Sequence, residues 1–414
     1  MDTRRVLDGL EAVTPWQEEL YAHLHQNPEL SMQEKETAAE VSRRLESFGY
    51  DVQQIGGVVG VLANGEGPTV LFRADMDALP VKEATGLPYA STRTAVDPQG
   101  VTVPVMHACG HDLHVVAALG AASLLAGHRD AWSGTYVALF QPAEETAAGA
   151  RSMVDDGLVE KIPKPDVALA QHVMAVPAAG EVGTTAGPMM STGACIRVKV
   201  YGEGTHGSMP HLGIDPVVLS AAIVTRLQTI VAREIAPSDL GVVTVGSLQA
   251  GTKANIIPDD ATMLLNIRAY DLDVREKLLT AIERIVRAEC EAAGSTRPPE
   301  IELYESFPLT DNDAPVNAKV TEAFVAHFGP DRVKRLDPLT GPRTSASSRT
   351  RSVSPTATGP SAASPPTSAP SPTTTPASGG DATHADHGHR GCGDGRAVVP
   401  PELRLRVHAD NWVS

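Results

Sequence analysis

The sequence predicts an α/β protein: a mostly parallel sheet covered by helices on both faces, with a smaller α+β module inserted into it. Three observations carry this. Short, nearly continuous apolar runs alternate with helical stretches as far as Val173. From about Pro188 the pattern changes to longer alternating strands separated by two amphipathic helices. The length, 414 residues, exceeds the roughly 250–300 that a single core usually serves, so two domains are expected.

The first 50 residues read as helical, with WQEELYAHLHQNPEL followed by a charged-apolar stretch from Glu34 to Phe48 that Gly49 terminates. Strand-like runs follow at Gly56–Asn64 (GGVVGVLAN), Thr69–Asp77 (TVLFRADMD) and Gly134–Glu145 (GTYVALFQPAEE), with the helical VVAALGAASLLAG between the last two. Strands apolar almost throughout are those buried on both faces of a parallel sheet. Chemistry in such sheets gathers beyond the carboxyl ends of the strands. Asp75 and Asp77 end one of these runs, and Glu144 and Glu145 end another.

In the second region, ACIRVKVYGEG, VVTVGSLQAG and DDATMLLNIRAY read as strands, and DPVVLSAAIVTRLQTIVARE and VREKLLTAIERIVRAECEAAG as helices. The order strand–helix–strand–strand–helix fits a ferredoxin-like module. A return to the first domain is expected near Pro299, with IELYESFPLT and a helix from Pro315 to Phe328. The expected limits are residues 1–187 and 298–341 for the first domain and 188–297 for the insert. The tail, 342–414, is rich in Ser, Thr, Pro and Ala and is expected to be disordered.

A net charge of −16 argues against nucleic acid or an anionic membrane as partner. The opening MDTRRVLDGLEAVTPWQEEL lacks the apolar core of a signal peptide, and no apolar run reads as long enough to span a bilayer. The four cysteines, Cys109, Cys195, Cys290 and Cys392, form no disulfide framework. A reduced, cytoplasmic setting is the expectation.

The densest chemistry lies in MHACGHDLH, Met106–His114, which holds His107, Cys109, His111, Asp112 and His114. Thiolate and imidazole suit borderline-soft metals, and an adjacent carboxylate can orient an imidazole. A Cys-x-His pair alone is weak, because buried Cys and His often only pack. Here QPAEET follows, with Glu144 and Glu145, and then QHV with His172. Cys, His, Glu and His in that order point to a metal-dependent hydrolase.

Together these motifs resemble the M20 metallopeptidase and amidohydrolase family, in its hippurate hydrolase and indole-acetyl-amino-acid hydrolase branch. The resemblance covers residues 21 to about 340: HLHQNPELS, FRADMDALPV, MHACGHDLH, QPAEET and QHV, then GEGTHGSMPHLGIDPV, GTKANIIPDDA and NIR in the insert. It implies a zinc-peptidase-like catalytic domain and an inserted lid that dimerises the protein. It also implies two divalent ions, zinc or manganese with cobalt and nickel admitted, held by Cys109, His111, Glu145 and His172. Glu144 would be general base and acid, Asp77 the orienting carboxylate, and Asp75 a supporting one. His206 would polarise the substrate oxyanion, and Asn255 and Arg268 would hold the substrate carboxylate. The implied substrate is a small N-acyl amino acid. The readings kept beside it are a dipeptidase and a non-catalytic, dimeric carboxylate-binding protein.

The chain leaves the family pattern after Thr340-Gly341, where PRTSAS stands in place of SEDFS. Codons can be chosen for Pro342–Gly359 so that the neighbouring frame reads SEDFSVIPDAFGVPYCYW. A frameshift at Gly341 is therefore expected. It would remove a late His ligand and impair one half of the site. The His- and Cys-bearing run Thr383–Asp394 is assigned no role.

Overall fold

The computed structural model describes residues 2–339 and, beyond them, two short strands, Ser352–Val353 and Thr356–Ala357. Apart from those strands, the expectations for the tail, the frameshift among them, fall outside the described residues.

The central sheet is built from β1 (Asp51–Gln54), β2 (Val58–Asn64), β3 (Thr69–Asp75), β4 (Gly134–Gln141) and β5 (Val167–Ala170). Its spatial order is β1-β2-β4-β3-β5, and Ser352–Val353 follows β5. The pairings β4–β3, β3–β5 and β5 with Ser352–Val353 are parallel, while β1–β2 and β2–β4 are antiparallel. Alternate side chains of a strand point to opposite faces, and the core divides accordingly. Val58, Phe72, Ala74, Tyr136, Ala138 and Phe140 join one apolar cluster, and Val59, Leu71, Val137 and Leu139 join the other.

The larger cluster is filled by helices α1 (Leu10–Gln26), α2 (Lys35–Ser47) and α3 (His111–Gly127). Helix α3 is apolar on nearly every side, with Val115, Val116, Leu119, Ala122 and Leu125 all buried. That is the composition of a helix enclosed by a core, not lying on its surface.

The inserted module contains β6 (Thr192–Tyr201), α4 (Pro216–Arg233), β7 (Gly241–Ala250), β8 (Asp260–Ala269), α5 (Leu272–Ala292) and β9 (Glu300–Phe307). The sheet runs β7-β8-β6-β9, antiparallel throughout. Ala261, Met263, Leu265, Ile267 and Ala269 alternate inward along β8 and meet Leu219, Ile223, Leu227 and Ile230 of α4. Both helices start at an aspartate whose side chain accepts from backbone N–H groups, Asp215 from Val217 and Val218, and Asp271 from Asp273 and Val274.

Two expectations need correction. Strand β9, read as part of the return to the first domain, pairs with β6 as the fourth strand of the inserted sheet, Val198 opposite Ile301 and Gly193 opposite Phe307. Its residues are largely exposed, so the sequence carries no burial signal to say which sheet takes it. Helix α4 is long and apolar enough to cross a membrane by length and composition, contrary to the sequence reading. Leu219, Ile223, Leu227 and Ile230 are buried in the core of the insert, whereas Val217, Val218 and Val231 are exposed.

Candidate metal centre

Loops leaving the carboxyl ends of β3, β4 and β5 converge on the N-terminus of α3. Asp75 closes β3 and Asp77 lies just beyond it, while Glu144 and Glu145 follow β4. His172 opens the short strand His172–Val173 after β5. Cys109 and His111 flank Gly110, the residue before α3, whose φ is +77°. A side chain there would strain the backbone, and its Cβ would lie 2.4 Å from Val173 Cγ2. Glycine thus lets the Cys109–His111 turn close onto the strand that carries His172.

Cys109, His111 and His172 have ligand atoms within 4.8 Å of one another, and so do His111, Glu144 and Glu145. His111 is common to both groups and fully buried. Its Nδ1 donates toward the Asp77 carbonyl at 2.9 Å and Asp77 Oδ1 at 3.1 Å. That leaves the Nε2 lone pair facing inward, where it is buried with no hydrogen-bond partner. Glu145 Oε1 is also buried without a partner and lies 3.9 Å from that nitrogen. The His172 ring donates from Nδ1 to the Val173 carbonyl and turns Nε2 to Cys109 Sγ at 3.4 Å. The thiol also reaches Glu145. Two buried lone pairs aimed at one space, beside a thiol and a second imidazole, suit a cation better than any hydrogen-bond donor.

The electrostatics agree. Burial alone would lower the His111 pKa, but Asp75, Asp77 and Glu144 push it up to about 10. Burial pushes Glu145 up to about 7, with Glu144 and Asp77 adding to it. Positive charge is therefore strongly favoured at this point, which is where a divalent ion would displace the proton.

A third group of possible ligands, Asp75, His111 and His114, is used differently. His114 Nδ1 donates to Asp75, and its Nε2 accepts from Val173 N at 2.9 Å, so both ring nitrogens are engaged. Arg73 Nη1 donates to Asp75 at 2.7 Å, and burial notwithstanding, Arg73, His111 and His114 hold that carboxyl well below the usual range. Asp75 and His114 thus brace the strand bearing His172.

A model of Peptidase family M20/M25/M40 matches residues 71–364. The chain belongs to that family. The M20 chain is 36% identical over 305 residues to the N-acetyl-L-cysteine deacetylase of Bacillus subtilis, covering 73% of this chain and 70% of the relative. It is 37% identical over 302 residues to the hippurate hydrolase of Campylobacter jejuni, covering 72% and 75%. Among solved structures it resembles the Bacillus subtilis YXEP protein, a dinuclear metal-binding peptidase of family M20. The TM-score is 0.69 at 28% identity, covering 84% of this chain and 89% of that one. This M20 protein is therefore a hydrolase of the amidohydrolase and peptidase type, with a candidate metal site.

The remaining expected residues lie on the insert. His206, exposed, pairs in a short antiparallel ladder with Ile256, and its Nδ1 bonds Ser208 Oγ at 2.7 Å. The Asn255 carbonyl accepts from Gly207 N in the same turn. Arg268 projects from β8 with Nε on Asn266 Oδ1 at 2.9 Å and Nη1 buried without a partner. The structure brings His206 and Asn255 together, and among the described residues no hydrogen bond joins any of the three to the candidate metal cluster. Sequence reasoning passed over Ser31, Glu34 and His25. Ser31 Oγ donates to Asp77 Oδ2 at 2.7 Å, Glu34 accepts from Ala143 N, and His25 bonds Asp112 beside His111. The HLHQNPELS motif contained two of them, without any indication of what they touch.

Proposed function

We propose that this M20 hydrolase cleaves the amide bond of small N-acyl amino acids, hippurate-like or N-acetylated, in the cytoplasm and as a homodimer. The observation that carries the reading is the facing pair of buried, unpartnered atoms, His111 Nε2 and Glu145 Oε1, within reach of Cys109, His172 and Glu144. Cys109, His111, Glu145 and His172 would hold two divalent ions, zinc or manganese, which when bound would supply Lewis acidity and lower the pKa of water toward neutral. Glu144, half-buried beside His111, is suited to take the water's proton and pass it to the leaving amine. Asp77 holds the His111 ring by its Nδ1 and so keeps Nε2 available. Arg268 offers a planar fork to the amino acid's carboxylate, and the unpartnered Nη1 supports that use. His206 would steady the oxyanion, with Asn255 beside the carboxylate. The relatives named above, a hippurate hydrolase and an N-acetyl-L-cysteine deacetylase, support the substrate class.

A second reading, a dimeric carboxylate-binding protein without turnover, is favoured by the ligand count. With Asp75 and His114 bonded to each other and Glu144 kept as the base, Cys109, His111, Glu145 and His172 remain, among the described residues, to serve two ions. Metal content and turnover of the purified chain separate the readings. Two ions per chain with release of glycine from hippurate or cysteine from N-acetylcysteine supports the amidohydrolase. One ion or none, with no release, supports the second reading, and faster cleavage of free-amine dipeptides would make the protein a dipeptidase.

A further inference from the structure

The segment Glu29–Glu34 lies far in sequence from the metal-binding residues but touches both loops that carry the carboxylates. Its backbone is fixed beside Asp77: Leu30 bridges Ala78, and Ala78 N donates to the Glu29 carbonyl at 2.8 Å. Ser31 Oγ donates to Asp77 Oδ2 at 2.7 Å, and the same oxygen accepts from Glu145 N at 3.0 Å. Glu34, only 6% exposed, accepts from Ala143 N at 2.7 Å across 109 residues of chain.

Glu34 stands at the N-cap of α2, but its side chain makes no cap bond there. Glu29 serves the start of that helix, accepting from Glu36 N and Thr37 N at 2.9 and 2.8 Å. The Glu34 carboxylate is thereby left for Ala143, and it also faces the N–H groups of Met32 and of Glu34 itself. Ala143 has φ +48° and Met32 has φ +65°, conformations an L-residue holds only when its surroundings impose them. Ala143 is followed immediately by Glu144 and Glu145. The loop closes on itself at its far end, where Gly149 N donates to the Ala143 carbonyl at 3.2 Å. A Cβ on Gly149 would sit 1.6 Å from the Pro142 carbonyl oxygen.

Resting on the metal-centre reading above, we infer that Glu34 is a positioning residue: its carboxylate clamps Ala143 N and so sets where the Glu144 and Glu145 carboxylates stand, while Ser31 does the same for Asp77. The clamp acts through reach, not through charge. An oxygen must arrive at Ala143 N, and whether it belongs to a carboxylate or an amide is secondary.

The test is a pair of variants in the full chain, each followed by zinc titration of the metal-stripped protein and by hippurate kinetics. Glu34→Asp keeps the charge but is one methylene too short to reach Ala143. It should weaken zinc binding and kcat by about 10–100-fold, the usual cost of losing a support behind a ligand, with KM unchanged. Glu34→Gln keeps the reach, loses the charge, and should stay close to wild type in both. The reverse order, with Glu34→Gln impaired and Glu34→Asp normal, would overturn the clamp, as would wild-type zinc affinity in Glu34→Asp. If the wild-type chain binds zinc but releases no glycine, the functional reading fails and the zinc isotherms alone decide the clamp. A wild-type chain that takes no zinc overturns both.

Discussion

His111 and His25 show how one residue type does two jobs in this protein according to its neighbours. Around His111 the acceptors take Nδ1 only, which leaves a lone pair for an ion. His25 has a carboxylate at each nitrogen, Asp112 Oδ2 at 2.7 Å and Glu83 Oε1 at 3.2 Å, so it is built to be an imidazolium. Burial opposes that charge, but Asp112 and Glu83 outweigh it and raise the pKa from 6.5 to about 9. A folded-state pKa above the unfolded one adds stability that is complete below pH 6.5 and disappears as pH rises through about 9. Thermal unfolding of metal-free His25→Gln should therefore fall furthest below wild type near pH 6, and the gap should narrow above pH 9. A gap independent of pH would show that the pairing carries no charge. For the reaction itself, Glu144→Gln should lower kcat by about 10²–10⁴-fold, the usual worth of a general base, while metal content stays at the wild-type level. A variant that loses its metal instead would make Glu144 a ligand.

Helix α3 links the core to the chemistry. Its first residue is His111, and its body is packed on every side by α1, α2 and the sheet. Placement of that imidazole therefore depends on how well the helix is seated. Leu119, with no exposed surface, sits midway along it. Leu119→Ala should cost about 2–5 kcal/mol by loss of burial and opening of a cavity. Denaturant titration measures the cost, and zinc titration of the same variant shows whether a loosened helix also loosens the ion. Unchanged stability would mean that the core closes over the gap.

The two edges of the inserted sheet differ in charge. Strand β9 carries Glu300, Glu302 and Glu305, whereas β7, GVVTVGSLQA, has no charged residue and leaves Leu248 exposed. Charge on an edge strand discourages pairing with another chain, and its absence invites it. The proposed homodimer should therefore form edge to edge through β7. Light scattering should give twice the chain mass for the wild type, and Leu248→Lys should shift the protein toward monomer with its fold intact. A wild-type monomer would dismiss the dimer, and an unaffected dimer in Leu248→Lys would move the interface elsewhere.

The sequence alone was enough to expect the layered α/β sheet, the inserted module and the cluster of candidate metal-binding side chains, because each rests on local pattern. Apolar strands and helices declare themselves within a few residues. Cys109 and His111 share one turn, and Asp75, Asp77, Glu144 and Glu145 stand at strand ends where parallel sheets gather their chemistry. Tertiary structure decided what orients those groups. Ser31 meets Asp77 across 46 residues, His25 meets Asp112 across 87, and Glu34 meets Ala143 across 109. Tertiary structure also settled that β9 closes the inserted sheet, since an exposed, glutamate-rich edge strand can satisfy its backbone against any free neighbour and only register with β6 selects one. Side-chain type travels with the sequence. The partner that fixes a lone pair or holds a strained turn is supplied by whichever distant segment the fold brings alongside.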